Sequence, residues 1–157
     1  MENRYEFFIA GRTRNQDEIL KICDLFDKYK ITYYCFLKNE GTMNSYGNEA
    51  QSVEEKQQEF ESLGLKSPEV LRIFREDYES EMAAEKFLLV LPAGNSGHIE
   101  AGIAYGKGKK CYAVGKYEAT DSLYNIFEEI FADRDELEQF LKVKRRVLRR
   151  DKNGNRQ

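Results

Sequence analysis

Strand-like and helix-like segments alternate along this 157-residue chain, and that order predicts an α/β fold: a doubly wound, mostly parallel sheet of about four to five strands flanked by helices. Three observations predict it. Short runs rich in aromatic and β-branched residues recur between longer stretches of helical period. The run at 87–91 is apolar throughout, as a strand covered by helices on both faces must be. Glycine-containing loops leave two of the strand-like runs and lead into helices.

Residues 4–10 read as a first, buried strand ended by Gly11. Asn15 with Glu18 three residues on is a capping-box pattern, opening a helix to about Tyr29 with Ile19, Leu20, Ile22, Cys23 and Phe26 as its apolar face. A second strand is expected at 31–37, and the polar, glycine-containing 38–48 reads as a loop. A polar helix at 51–63 is stopped by Gly64, and Ser67-Pro68 opens a third helix running to about Glu85. Its predicted buried stripe is Leu71, Phe74, Tyr78 and Met82. After the third strand, the glycine-rich stretch 92–98 leads into a helix at 97–107, and 110–114 is the fourth strand. The remainder reads as helix, most clearly at 133–150, with Leu137, Phe140, Leu141, Val147 and Leu148 inward. The whole is an architecture of the Rossmann or flavodoxin-like kind, one domain over 1–150 with 151–157 a frayed basic tail.

Composition limits the function classes. Hydrophobic residues make up 41% and charged residues 34%, enough for one packed core and too apolar for disorder. No apolar run approaches the roughly 20 residues of a membrane span, and residues 1–4 carry no secretory pattern. Cys23, Cys35 and Cys111 sit among apolar neighbours without ligand spacing, which predicts reduced core thiols and a cytoplasmic setting. The net charge of −3 conceals an asymmetry. From Lys142 onward there are eight basic residues and one acid, leaving a body of 17 basic and 27 acidic residues. That acidic body argues against a dedicated nucleic-acid binder. The basic end either touches phosphate or an acidic partner, or complements the carbonyl end of a helix dipole.

In doubly wound folds ligands sit beyond the carboxyl ends of the strands, where strand order reverses. Two loops here have that position. The first, Gly11-Arg12-Thr13-Arg14, offers guanidiniums and a hydroxyl beside a helix N-terminus, a combination suited to phosphate and equally able to be an exposed turn. The second carries Asn95, Ser96, Gly97 and His98 ahead of Glu100. No GxGxxG follows the first strand and no GxxxxGK[ST] occurs, which argues against dinucleotide-binding and P-loop chemistry. Glu100 falls in the first turn of its predicted helix, where the dipole favours the ionised carboxylate. Such a group beneath an anomeric carbon stabilises, or captures covalently, the positive charge built up when a sugar–base bond breaks. His98, the only histidine, reads either as a base or phosphate contact or as a plain polar residue at a helix start. Tyr5, Tyr33, Tyr34 and Tyr105 read as core or as stacking surfaces. No His/Cys/Asp cluster has metal-ligand spacing, so neither a catalytic metal nor a cofactor is expected.

The run Ser96-Gly97-His98-Ile99-Glu100-Ala101-Gly102-Ile103-Ala104-Tyr105-Gly106-Lys107-Gly108-Lys109 resembles the signature of the nucleoside 2-deoxyribosyltransferase superfamily, which includes related 5′-nucleotide N-glycosidases. Phe8-Ile9-Ala10-Gly11 and the carboxylate Asp77 before the third strand are similar to the same pattern, over roughly residues 4–141. The resemblance implies Glu100 as nucleophile and Asp77 near the scissile bond as proton donor, with Glu81 one turn on as its substitute. It further implies Ser96 and the loop from Gly11 to Arg14 near a 5′-phosphate, a nucleoside or nucleotide substrate, and a homo-oligomer (dimer or tetramer). The transferase branch tends to carry an acidic residue in the loop before its glutamate, where this chain has Asn95 and Ser96. That departure and the arginines tilt the expectation toward a 5′-nucleotide hydrolase. The stretch from Pro92 to Glu100 also resembles the PGGxGTxxE motif of phosphoribohydrolases. A non-catalytic nucleotide-sensing module and a nucleic-acid-associated protein using the basic end are the readings from other classes.

Overall fold

The computed structural model describes residues 3–38, 51–118 and 121–152. Five strands form one parallel sheet: β1 (Tyr5–Ala10), β2 (Tyr33–Cys35), β3 (Ala84–Val90), β4 (Lys110–Val114) and β5 (Phe127–Phe131). Their order across the sheet is β2-β1-β3-β4-β5, the flavodoxin-like order whose switch point lies between β1 and β3. The helices are α1 (Gln16–Lys28), α2 (Val53–Glu61), α3 (Pro68–Met82), α4 (Asn95–Gly106) and α5 (Arg134–Lys152).

Alternation along the strands divides the interior in two. Phe7, Ile9, Leu88, Val90, Tyr112 and Val114 point to one face, where they pack with Ile19, Ile22, Cys23 and Phe26 of α1 and with Leu137 and Leu141 of α5. Phe8, Ala10, Phe87, Leu89, Cys111 and Ala113 point to the other, against Ala101 and Ala104 of α4. Small residues on α4 let that helix lie close to the sheet. All three cysteines are buried free thiols. Among the described residues no helix is long and apolar enough to cross a membrane.

Several expectations are corrected. The stretch after β4 contains a fifth strand rather than helix alone. Phe127 and Phe131 anchor it on opposite faces, and the register slips at Cys111/Tyr112, so no clean period of two reaches the sequence. The capping box expected at Asn15 and Glu18 does not form. Asn15 instead sends its Nδ2 to the carbonyl of Leu91 at 3.3 Å, tying the end of β1 to the end of β3, and Glu18 pairs with Arg134 at 2.7 Å. A complete capping box occurs at Ser52 and Glu55, at the start of α2. Leu20 lies on the exposed side of α1.

The third helix is rotated from its predicted face. Phe74 is 59% and Tyr78 37% exposed, whereas Glu81 is 2% exposed. The helix also stops at Met82, three residues early, because Ala84 already pairs with Tyr5 in the sheet. Lys109 Nζ caps this end, donating to the carbonyls of Glu81 (2.5 Å), Met82 (3.0 Å) and Ala84 (2.5 Å). α5 continues through Asp151 and Lys152, which were expected to fray. Of the predicted loop 38–48 all but Lys38, and of the predicted tail 151–157 all beyond Lys152, lie outside the described residues, as do the side chains of Val147 and Leu148.

Candidate active site

The loops leaving β1 and β3 meet at the switch point. Gly97 shows how closely: a Cβ built there would stand 2.8 Å from Leu89 Cδ1 and 3.9 Å from the backbone nitrogen of Gly11. Between these loops opens a cleft of roughly 420 Å³. Gly11, Arg12 and Thr13 form one wall, and Asn95, Ser96 and Gly97, at the first turn of α4, form another. The N-cap, Gly94, supplies no side chain to that helix start, so the first-turn N–H groups face the cleft uncapped.

Asp77 of α3 and Glu100 of α4 line the same cleft. The rotation of α3 brings this about: the face carrying Ile73, Asp77 and Glu81 turns inward. Tyr34 Oη, on β2, donates to Asp77 Oδ1 at 2.8 Å. Burial raises the Asp77 carboxyl to about 6, and the Tyr34 bond works against that rise. Glu81 lies deeper and burial pushes it up to about 7, with the Lys109 charge opposing. Its Oε1 has no hydrogen-bond partner among the described residues. Glu100 is raised well above the usual carboxylate range by burial first and then by repulsion from Asp77 and Glu81.

That last direction reverses an expectation. Helix α4 begins at Asn95, two residues earlier than predicted, so Glu100 is its sixth residue and lies beyond the first turn where the dipole acts. In the free chain dehydration and two neighbouring carboxyls govern its protonation. Asp77 raises both Glu81 and Glu100, and Glu81 raises Glu100, so a charge on one carboxyl opposes a charge on the next.

The remaining candidates are placed as follows. Arg12 lines the cleft, exposed; Thr13 lines it and is buried. Arg14 does not line the cleft; its Nε lies 3.9 Å from Glu54 Oε1 on α2. His98 turns away. Its Nδ1 lies 2.8 Å from the Gly94 carbonyl and its Nε2 2.9 Å from Tyr124 Oη, and its ring stacks on Tyr124, bordering a separate depression with Lys116 and Tyr117. Sequence reasoning missed the wall supplied by α2, where Gln57, Phe60 and Glu61 face the cleft, and the contributions of Phe36 and Ile73. Nothing in a polar helical repeat marks which of its residues meets a distant loop. Among the described residues no group of three or more His, Cys, Asp or Glu side chains could hold a metal ion.

Fold and cleft together define a doubly wound α/β chain with a carboxyl-lined cleft at its switch point. No family model matches the chain, and no curated protein matches it.

Proposed function

We propose that this cleft cleaves or exchanges the N-glycosidic bond of a nucleoside 5′-monophosphate, with Glu100 as nucleophile and Asp77 as proton donor. One observation carries the reading: two carboxyls from adjacent helices line one cleft that also offers Arg12 from the first loop and Ser96 at an uncapped helix start. The phosphate sits between Arg12 and that helix start, leaving the anomeric carbon toward the carboxyls. The reaction needs one proton on Asp77 and an ionised Glu100, so as the ligand binds the proton that burial favours on Glu100 passes to Asp77. As the sugar–base bond breaks, its electron pair goes to the base, Asp77 delivers a proton to the base nitrogen, and a Glu100 oxygen bonds the anomeric carbon. Water then attacks that carbon and gives its proton to Asp77, regenerating both groups. A second base in place of water gives transfer.

A binding-only reading, a nucleotide sensor, is favoured by one observation: burial and two neighbouring carboxyls push Glu100 well above the usual carboxylate range, away from the ionised form a nucleophile needs. The two readings separate in a single assay. The chain is incubated with nucleosides and their 5′-monophosphates, with and without a second base, and free base is scored by chromatography. Catalysis predicts base release, faster from monophosphates, and a loss of at least a hundredfold in Glu100→Gln. No base release from any substrate that binds leaves the sensor, and more than a few percent of activity in Glu100→Gln removes Glu100 as nucleophile. The reading includes a homo-oligomer and a cytoplasmic setting. Exposed Phe74, Tyr78 and Ile99 support the first, and three buried free thiols support the second.

A further inference from the structure

At the amino ends of the strands, opposite the carboxyl-lined cleft, a second groove of roughly 770 Å³ opens between the starts of β3 and β4 and helix α5. Four lysines line it: Lys86, Lys109, Lys110 and Lys144. Three of them have partners. Lys109 Nζ caps the carbonyls at the end of α3, and Lys110 Nζ lies 4.0 Å from Glu128 Oε1. Lys86 is only 9% exposed and pairs with Glu85 Oε1 at 3.6 Å. Lys144 Nζ is buried without a hydrogen-bond partner among the described residues. Both nitrogens stand over one ring, 5.5 Å and 5.3 Å from the centroid of Phe7. Attraction to an aromatic face is modest. Two cations gathered at one partly dehydrated point repel each other, Glu6 and Glu85 offset that only in part, and Lys144 Nζ makes no hydrogen bond there, so an anion between the two would complete the arrangement.

We propose that this groove is an anion site that takes a phosphate group between Lys86 and Lys144, its oxygens accepting from both Nζ atoms. Two ammonium groups match a dianion with several acceptor oxygens, and lysine serves phosphate as a compact point charge. Tyr112 and Phe140, in the same lining, give an organic substituent an aromatic wall. The site is independent of the chemistry assigned to the cleft, since it lies at the other end of the sheet.

Protonation supplies a signature. The groups around Lys144 are Glu6 of β1, Glu85 and Lys86 of β3, Lys110 and Tyr112 of β4, and Lys109 just before β4. Burial and then Lys86 hold the Lys144 amine down to about 8, with Glu6 and Glu85 pulling the other way. A phosphate seated against it raises that value, so binding near pH 8.5 draws in protons. The test is calorimetric titration of the full chain with inorganic phosphate and with phenyl phosphate. It is run at pH 8.5 and fixed ionic strength, in two buffers of different ionisation heat, and in an Arg12→Ala/Ser96→Ala background that disables the cleft's phosphate contacts. Saturable binding with net proton uptake is expected, weakened at least tenfold by Lys144→Met and by Lys86→Met. Lys144→Met removes a buried unpaired cation, so without phosphate below pH 8 it should melt above its parent, which separates lost binding from misfolding. Tighter phenyl phosphate binding identifies an organic phosphate and equal binding free phosphate; either upholds the site. Absence of saturable heat in the background, or binding unchanged by Lys144→Met, overturns it.

Discussion

Tyr34 Oη donates one hydrogen bond to Asp77, and that bond favours the ionised carboxyl against the burial that raises it to about 6. Tyr34→Phe removes that bond together with the Ser80 contact of the same hydroxyl, and the Asp77 carboxyl moves further up. If Asp77 protonates the leaving base, its acid form then persists to higher pH, and the descending limb of the kcat/KM profile moves alkaline while stability falls by about 1 kcal/mol. An unmoved limb would mean that another group supplies the proton. Glu81 makes a separate prediction about stability. Its folded value, about 7, lies above the 4.5 of an unperturbed glutamate. The folded chain therefore keeps a proton that the unfolded chain has released across that window, and the resulting stability is full below about 4.5 and lost as pH rises to 7. Glu81→Gln abolishes that loss. Relative to the parent it should be more stable at pH 7.5 by roughly 2 kcal/mol, and nearly equal at pH 4.5. Denaturant melts of both proteins at the two pH values decide it, and equal differences at both would show that the Glu81 charge carries no such penalty.

At the scale of elements, α3 decides what the site contains. Its start was legible, since Ser67 accepts from the Val70 N–H with Pro68 at the first helical position. Its end was not, because the cap comes from Lys109, a lysine 27 residues beyond Met82 in the chain. Lys109→Met leaves the carbonyls of Glu81, Met82 and Ala84 without that donor. It should cost about 2 kcal/mol in urea unfolding and speed amide exchange in the last turn of α3 more than elsewhere. A cost below about 0.5 kcal/mol would mean that water replaces the ammonium freely. The same contrast explains which parts of the fold the residues announced. β1, β3, β4 and α1 follow from local period and apolar content, and Gly11, Asn95, Ser96, Asp77 and Glu100 meet in one cleft because the order of elements fixes where strand ends lie. The face of α3 could not be read so, since the apolar stripe Phe74 and Tyr78 outranks Asp77 and Glu81 in any hydrophobic pattern, yet the carboxyls are the side turned in. Arg14 and His98 carry the right chemistry in the right loops, yet neither lines the cleft, and their contacts, Glu54 and Tyr124, are both distant in sequence.

For the whole molecule, that inverted helix leaves apolar surface uncovered. Phe74 and Tyr78 stack on each other with ring centroids 5.9 Å apart, on the outward side of α3. Ile99, 63% exposed, lies on α4, which packs beside α3 on the same face of the sheet. An exposed, stacked aromatic pair is the kind of apolar surface that marks an interaction site when it extends into a patch, and the charged residues elsewhere on α3 show that the helix does not lack polar alternatives. A second copy of the chain is the partner consistent with the proposed function, because a lid over α3 and α4 also keeps water from Asp77 and Glu100, which lie on the inner sides of the same two helices. The expected outcome is sedimentation at twice the 18.4 kDa of the chain, or at four times that mass if dimers pair. Phe74→Glu with Tyr78→Glu should give a folded monomer with an unchanged far-ultraviolet spectrum and a depressed turnover. Because both side chains are already exposed in the single chain, their replacement costs the monomer little, so a loss of activity with dissociation would trace to the lost neighbour rather than to unfolding. A wild-type chain that sediments at 18.4 kDa up to high micromolar concentration would remove the oligomer from the proposal. The cleft would then complete its chemistry within one chain, as its two walls and two carboxyls permit.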